Sequence, residues 1–194
     1  TLCPRQIRDM GYLRELIGLR SRYNRCKAEW QPHLRHCQDW ISHAIKYCNN
    51  RDKVVVLGSG LLLDLPLKEL ARNFKQVILV DIFHLAPVRK IIRPYDNVDL
   101  VTMDITGFSE LLYMHVSEGF QLSWPEKANV DVNSSDLVIS SNVLSQLWVV
   151  PMEFAAKKNI ELDREMLAKL LKDHLIVLRK SGGRICLITE IEHR

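Results

Sequence analysis

Short apolar runs of strand length recur along the chain, separated by amphipathic segments of helix length. The run from Val54 to Leu57 is typical, with four apolar residues in a row, three of them β-branched, as in a strand buried on both faces. Turn and polar residues bound each run. The predicted strands are 54–57, 76–80, 98–103, 135–140 and 184–191.

Helical periodicity fills the segments before and between these strands. Apolar residues at three-and-four spacing predict a helix over 29–48, with Pro32 in its first turn. The other predicted helices are 5–24, 66–74, 84–92, 108–116, 141–147 and 163–179. Strands that alternate with helices usually pair in parallel through right-handed crossovers, so the pattern predicts a doubly wound α/β domain.

The composition is that of an ordinary globular protein. The 194 residues include 47% apolar and 26% charged residues, and the length suits one domain better than two. No apolar run is long enough to cross a bilayer, and the start of the sequence lacks the apolar core of a signal peptide. Five cysteines, an odd number without a Cys-x-x-Cys pair, favour reduced thiols. These features predict a cytoplasmic protein that does not bind membranes.

Positive charge is concentrated in the first 50 residues, which hold nine Lys/Arg and four Asp/Glu. Such a segment is a candidate surface for nucleic acid or another anion. The alternative is an exposed helical face that is simply solvated, since acids are interleaved with the bases. His33, His36 and Cys37 offer metal-ligand atoms, but we expect them to pack on an amphipathic helix because the pattern shows no fourth ligand.

The stretch Gly58-Ser59-Gly60, directly after the first strand, is the main candidate for a ligand-binding loop. Glycines let the backbone turn tightly and approach a ligand at the carboxyl edge of a parallel sheet. Asp81 follows the second strand, where an ionised carboxylate can accept hydrogen bonds from both hydroxyls of a ribose. The alternative role for Asp81 is to cap a helix.

Asp104 follows the third strand and is the second candidate for a nucleoside contact. A carboxylate there would lie beside the base and accept from an exocyclic amine, although a turn residue before Gly107 would look the same in the sequence. His84 and His115 are candidate proton acceptors, and we expect each to be a surface or packing residue instead. The segment 148–160 is a candidate lid.

Five pieces of sequence together resemble the class I S-adenosylmethionine-dependent methyltransferases over residues 53–191. They stand in the family's order and at its spacing, and they read V-V-V-L-G-S-G, V-I-L-V-D, V-T-M-D, S-S-D-L-V-I-S-S-N-V-L-S-Q-L and L-R-K-S-G-G-R-I-C-L-I-T. The resemblance implies a three-layer doubly wound sheet with strand order 3-2-1-4-5 and S-adenosylmethionine as the cofactor. It divides the chain into an N-terminal helical cap, 1–50, and a methyltransferase-like, Rossmann-type domain, 51–194.

The same resemblance implies roles for individual residues. The glycines would pass beneath the methionine moiety, the acid at 81 would bind the ribose, the acid at 104 would hold the adenine, and residues 140–142 would border the transfer site. The implied cofactor-binding residues are Gly58, Ser59, Gly60, Asp64, Asp81, Ile82, Asp104, Ile105, Ser140 and Ser141. Asn142 and Gln146 are the catalytic candidates, as groups that orient a polar substrate.

The sequence departs from the family's pattern at three places. Val56 stands where the family usually has an acid, and Leu61 to Leu63 bring bulk where the third glycine is expected. We therefore assign Asp64 as a hypothetical contact for the methionine ammonium. The family's closing strands 6 and 7 would lie beyond Arg194, so we expect either a longer natural chain or a partner over the fifth strand, where an exposed edge favours oligomers.

Three functions fit these residues. The first is methyl transfer from S-adenosylmethionine to an unidentified acceptor, a reaction that needs positioning more than a base. The second is a methyltransferase-like fold that has lost catalysis and serves as a binding or scaffold module. A nicotinamide-dependent oxidoreductase is less favoured, because the third glycine of the dinucleotide fingerprint is absent and the chain has no room for a substrate domain.

Overall fold

A single sheet of five parallel strands forms the centre of the fold in a computed structural model that describes residues 3–125 and 130–190. Its order is β3-β2-β1-β4-β5, which confirms the expected 3-2-1-4-5 arrangement. The strands are β1 (Lys53–Leu57), β2 (Gln76–Asp81), β3 (Val98–Thr102), β4 (Leu137–Ser141) and β5 (Arg184–Ile188). The predicted end of the fifth strand, Ile191, lies outside the described residues.

Eight α-helices and one short 3-10 helix are found among the described residues. The α-helices are α1 (Arg5–Met10), α2 (Tyr12–Arg25), α3 (Lys27–Lys46), α4 (Leu67–Asn73), α5 (Ala86–Ile92), α6 (Phe108–Glu118), α7 (Val149–Lys157) and α8 (Arg164–Arg179), and the 3-10 helix is Leu144–Gln146.

The predicted N-terminal helices needed correction. The helix expected over 5–24 is two helices, because Gly11 adopts a left-handed conformation at φ +105° between them. Helix α3 starts at Lys27, so Pro32 lies inside the helix rather than in its first turn. The segment 141–147 holds only the 3-10 helix and not the longer helix that its pattern predicted.

The two faces of the sheet carry different helices. Alternate residues of the central strands, such as Val54 and Val56, pack with α3, α4 and α5 on one face. Their neighbours Val55 and Leu57 point to the other face and pack against α8 through Val177 and Leu178. Strands buried on both faces in this way read as continuous apolar runs, which is the pattern that identified them in the sequence.

A third apolar cluster joins α1, α6, α7 and α8 beside the sheet. Met10 of α1 is 2% exposed and packs with Phe108, Leu112 and Phe154. Helix α7 occupies the segment predicted as a lid, and its residues Val150, Pro151, Phe154 and Ala155 are buried. This helix is therefore part of the packed core in this structure.

The fifth strand is the more exposed side of the sheet. Ile185 and Leu187 are 43% and 40% exposed. Gly183 lies just before the strand and packs closely on the segment that leads into β4. A Cβ added to Gly183 would overlap the backbone of Ser135 and Asp136. Association through this edge stays a prediction. Across residues 3–125 and 130–190, none of the helices is both long and apolar enough to span a membrane.

Candidate functional site

The loop after β1 is held against the end of β2 by its own backbone. The N–H groups of Gly58 and Ser59 both donate to the carbonyl of Val80, at 3.0 and 3.1 Å. Gly58 has φ +77°, and a Cβ added to it would lie 2.6 Å from the Cβ of Val143, so this position is closed by packing. Gly60 has φ +51°, and the nearest atom to an added Cβ is 4.0 Å away. The loop is therefore open toward a ligand at Gly60 and closed at Gly58.

Asp81 connects this loop to the end of β2. Its Oδ2 accepts from the N–H of Gly60 at 2.6 Å, and its Oδ1 accepts from the N–H of Ile82 at 2.7 Å. Burial raises the pKa of Asp81 to about 6, against the opposing effect of these N–H donors, and the nearby charge of Asp64 raises it further. A carboxylate has about four acceptor positions, so these bonds leave Asp81 able to accept more.

His84 lies beneath the loop as a structural group. It is 1% exposed, and its Nε2 shares a hydrogen bond of 3.2 Å with Ser59 Oγ while its Nδ1 shares one of 3.1 Å with Thr102 Oγ1. Burial, with a smaller effect of Arg89, lowers the pKa of His84 to about 4, so the ring is neutral near pH 7. This agrees with the expectation of a packing residue. His115 contacts the backbone carbonyl of Phe120 at 2.6 Å.

Asp104 organises the turn that leads into α6. Its Oδ1 accepts from both the N–H and the hydroxyl of Thr106, at 2.9 and 2.7 Å, and its Oδ2 accepts from the N–H of Ser109 at 2.8 Å. These are the contacts of a turn and helix-start residue, the alternative that the sequence left open. A contact between Asp104 and adenine stays a prediction.

A small cavity lies next to this turn. It is lined by Ile105, Thr106, Trp124, Pro125, Leu170, Asp173 and His174. Its volume of about 10 Å³ is near the least that holds one water molecule. Ile105 and Thr106 therefore face a packed space in this structure rather than an open nucleoside-sized pocket.

Ser140 does not reach the open edge of the sheet. It is fully buried, and its Oγ shares a hydrogen bond of 2.8 Å with Nε2 of His174 on α8. Burial lowers the pKa of His174 to about 4. Its side chain therefore faces α8, and a place for Ser140 at the border of the transfer site stays a prediction.

Asp64, Ser141 and Asn142 meet at the carboxyl end of β4. Asp64 Oδ2 accepts from Ser141 Oγ at 2.6 Å and from Asn142 Nδ2 at 2.9 Å. Asn142, which has φ +51°, also directs Nδ2 toward Cys37 Sγ on α3, at 3.8 Å. The second catalytic candidate, Gln146, is exposed and contacts Ser145 at 3.5 Å. The structure thus brings Asp64 and Asn142 together and leaves Gln146 outside the group.

The likeness of the chain to known proteins lies in its structure rather than in its sequence. No family model and no curated protein matches the sequence. A solved structure described as "DhpI-SAM-HEP complex" matches with a TM-score of 0.50 and 14% identity, over 100% of this chain and 70% of that one. The chain has a methyltransferase-like fold. At 14% identity this likeness concerns the fold alone.

Sequence reasoning gave no role to Tyr12, which the structure brings close to Asp104. Tyr12 begins α2, and its hydroxyl shares a hydrogen bond of 2.6 Å with Ser109 Oγ, beside Asp104. Its position between apolar and basic residues of an N-terminal helix gave no sign of this, because only the folded chain brings α2 to the start of α6.

The basic residues of the N-terminal segment lie on exposed helical surface. Arg20, Arg25 and Arg35 are exposed, and Lys27 lies over the ring of Tyr23 at 5.6 Å. Binding of nucleic acid by this surface stays a prediction.

Proposed function

We propose that this chain binds S-adenosylmethionine through the Gly58-Ser59-Gly60 loop and Asp81, and that it transfers the methyl group to an acceptor. The observation that carries the proposal is the 2.6 Å hydrogen bond from Gly60 N–H to the Asp81 carboxylate. It joins the first loop to the second strand beside the point where the strand order reverses, between β1 and β4. Open α/β sheets bind nucleotides at such points.

Support also comes from the structural likeness. The solved structure that matches is named as a complex with SAM, and the present chain shares that fold over its whole length. A shared fold places the ligand at the same edge of the sheet. The residues at this edge can still differ between proteins that share the fold.

The residues at the edge fit an adenosine-type ligand. Gly60 presents backbone with open space around its Cβ position, and Asp81 retains acceptor positions for ribose hydroxyls. Asp64 supplies a second carboxylate, whose Oδ2 is already bound to Ser141 and Asn142. Bound S-adenosylmethionine would supply an activated methyl group, so the chain's own task is to hold donor and acceptor in line and to exclude water.

A binding module without catalysis is the second candidate, and a specific observation favours it. The polar side chains at the β4 end satisfy one another, and Val143 packs directly on Gly58, which leaves little room near the expected transfer site. A chain built in this way could bind the nucleoside part of the ligand and lack a place for the acceptor.

Isothermal titration with S-adenosylmethionine, S-adenosylhomocysteine and NAD tests the proposal. We expect the first two to bind and NAD not to bind. Asp81→Asn should weaken binding by about tenfold, since one carboxylate oxygen becomes an N–H donor that faces backbone N–H groups. The matched control is Asp99→Asn, which changes an exposed acid whose carboxylate accepts from Gln76 at 3.1 Å.

A second measurement separates the two candidate functions. Release of S-adenosylhomocysteine during incubation with cell extract would support methyl transfer. Binding of S-adenosylmethionine without any such release would favour the binding module, and the absence of binding to either adenosyl ligand would overturn both.

A further inference from the structure

The N-terminal segment connects two separate apolar clusters of the fold. Helix α1 is anchored by Met10 in the cluster with α6 and α7, whereas α3 is anchored by Ile41 and Ile45 on the face that carries α4 and α5. Helix α2 joins these two anchors, and its 14 residues give it a length of about 21 Å. None of these 14 residues is fully buried, so α2 bridges the two clusters instead of packing into the core.

Three polar contacts fix the beginning of this bridge next to α6 and α7. The hydroxyls of Tyr12 and Ser109 share a hydrogen bond of 2.6 Å, and the Tyr113 hydroxyl donates to Asp9 Oδ2 at 3.0 Å. Arg14 pairs with Glu153 of α7 at 3.3 Å. The left-handed turn at Gly11 lets the chain change direction directly before Tyr12, whose hydroxyl contacts Ser109 in the first turn of α6.

The Tyr12 hydroxyl is linked through Ser109 to Asp104, the candidate adenine contact. Its hydrogen-bond partner Ser109 donates its N–H to Asp104 Oδ2 at 2.8 Å. Burial raises the pKa of the Tyr12 phenol, and the negative charges of Asp104 and Asp81 raise it further, with the larger effect from Asp104. Tyr12 is therefore a neutral phenol that lies, partly buried, beside the turn formed by Asp104 and Ser109.

We propose that Tyr12 forms one wall of the nucleoside site and contacts the adenosine part of the ligand with its ring. The inference rests on the proposed function and extends it, because it makes the N-terminal segment part of the site rather than a separate cap. The hydroxyl is engaged with Ser109, so the ring is oriented before any ligand arrives. A planar aromatic side chain held in this way suits stacking on a base.

Two substitutions distinguish the contribution of the Tyr12 ring from that of its hydroxyl. Tyr12→Leu keeps apolar bulk against the α1 and α6 cluster but removes the ring, and Tyr12→Phe keeps the ring but removes the hydrogen bond to Ser109. The control is Tyr23→Leu, on the same helix, whose ring instead contacts Trp30 at a centroid distance of 6.0 Å. Circular dichroism and thermal melting of each variant establish that it is folded.

Binding is measured by titration with S-adenosylhomocysteine and with 5′-methylthioadenosine, which lacks the amino-acid end. We expect Tyr12→Leu to weaken both ligands by the same factor, about tenfold, because the ring contacts the part that they share. Tyr12→Phe should lose no more than about threefold, and Tyr23→Leu should bind like the wild type.

The outcomes distinguish this inference from the proposed function. If the wild-type chain binds neither ligand, the proposed function fails and the role of Tyr12 fails with it. If the wild type binds and the folded Tyr12→Leu variant binds equally well, only the role of Tyr12 is overturned. A loss in Tyr12→Leu that is matched by Tyr23→Leu, or that affects S-adenosylhomocysteine alone, also contradicts a contact with the adenosine.

Discussion

The two ends of the candidate site are built from different chemical groups. At the nucleoside end, carboxylates hold backbone N–H groups: Asp81 binds Gly60 and Ile82, and Asp104 binds Ser109. At the β4 end, side chains hold one another, as Ser141 and Asn142 both donate to Asp64. The backbone at the strand ends fixes the first arrangement, which is open to a ligand at Gly60. The second depends on side-chain rotamers and is closed by Val143, so we expect ligand affinity to come mainly from the nucleoside end.

A buried neutral histidine supports each end. His84 contacts Ser59 and Thr102 and so connects the loop after β1 with the end of β3, whereas His174 contacts Ser140 and connects β4 with α8. The nucleoside end is thus braced between strands, and the β4 end is braced against a helix. Substitutions of His84 should therefore disturb the contact between two strand ends, whereas substitutions of His174 should disturb the contact between β4 and α8.

We expect the largest effect on stability when alanine substitutions at the two glycines of the loop are compared. Gly58→Ala places a Cβ against Val143 in a left-handed conformation, so we expect the free energy of unfolding to fall by about 3 to 4 kcal/mol. Gly60→Ala meets open space and should lose only about 1 kcal/mol, from the backbone conformation alone. Urea unfolding without ligand measures both, and equal losses would contradict the difference between a closed and an open glycine.

Acid should destabilise the fold through the buried histidines. The folded pKa of His174 is about 4, below its ordinary value of 6.5, so between these pH values the unfolded chain binds more protons and the folded state loses stability as the pH falls. His174→Gln can keep a hydrogen bond to Ser140 and should recover on the order of 3 kcal/mol of this loss at pH 4.

Urea unfolding at pH 7, 5.5 and 4 provides the measurement for this acid effect. Asp81 acts in the opposite direction, because its pKa is raised to about 6 and the folded state gains a proton between about pH 4 and 6. The same pH dependence in wild type and His174→Gln would show that His174 is not the group that titrates.

Ligand affinity should depend on pH through Asp81. With a pKa of about 6, its carboxylate is mostly ionised at pH 7.5 and mostly protonated at pH 5. An ionised carboxylate accepts from ribose hydroxyls without competition from its own proton, so affinity should fall by up to about tenfold over this range. Titration of S-adenosylhomocysteine at several pH values shows this fall, and Asp81→Asn should give a flat profile. A sloped profile in that variant would point to another group.

A weaker effect is expected at the β4 end. If Asp64 contacts the methionine ammonium, Asp64→Ala should weaken binding of S-adenosylmethionine by about fivefold, in the range of a partly exposed charge-assisted contact. Its affinity for 5′-methylthioadenosine, which lacks that ammonium, should stay unchanged. Unchanged affinity for S-adenosylmethionine would rule out this role for Asp64 and leave it as the partner of Ser141 and Asn142.

The strands were predictable because a strand that is buried on both faces appears in the sequence as a continuous apolar run. Val54 to Leu57 are all buried, and the glycine loop follows them as expected. The side-chain direction at the end of β4 was not predicted. Ser140 and Ser141 are adjacent and chemically alike, yet alternation along the strand sends Ser140 to His174 and Ser141 to Asp64.

The role of Asp104 illustrates a different limit. A carboxylate that caps a turn and one that binds a base occupy the same place in the sequence, and only the hydrogen bonds to Thr106 and Ser109 show the first role. Pro32 was misplaced for a related reason. A proline fits the first turn of a helix best, but α3 continues past Pro32, where burial of Leu34, Cys37 and Ile41 stabilises the helix.

Local sequence was enough to define the parallel sheet, its glycine loop and the acids at the ends of β2 and β3, because periodicity and turn chemistry act over a few residues. The folded chain was needed to show that Tyr12 lies beside Asp104, that His84 joins two strand ends and that Val143 closes Gly58. These contacts link residues up to 97 positions apart, as Tyr12 and Ser109 are, and their geometry follows from how helices cross the sheet. No short-range sequence pattern determines how the helices pack around the sheet.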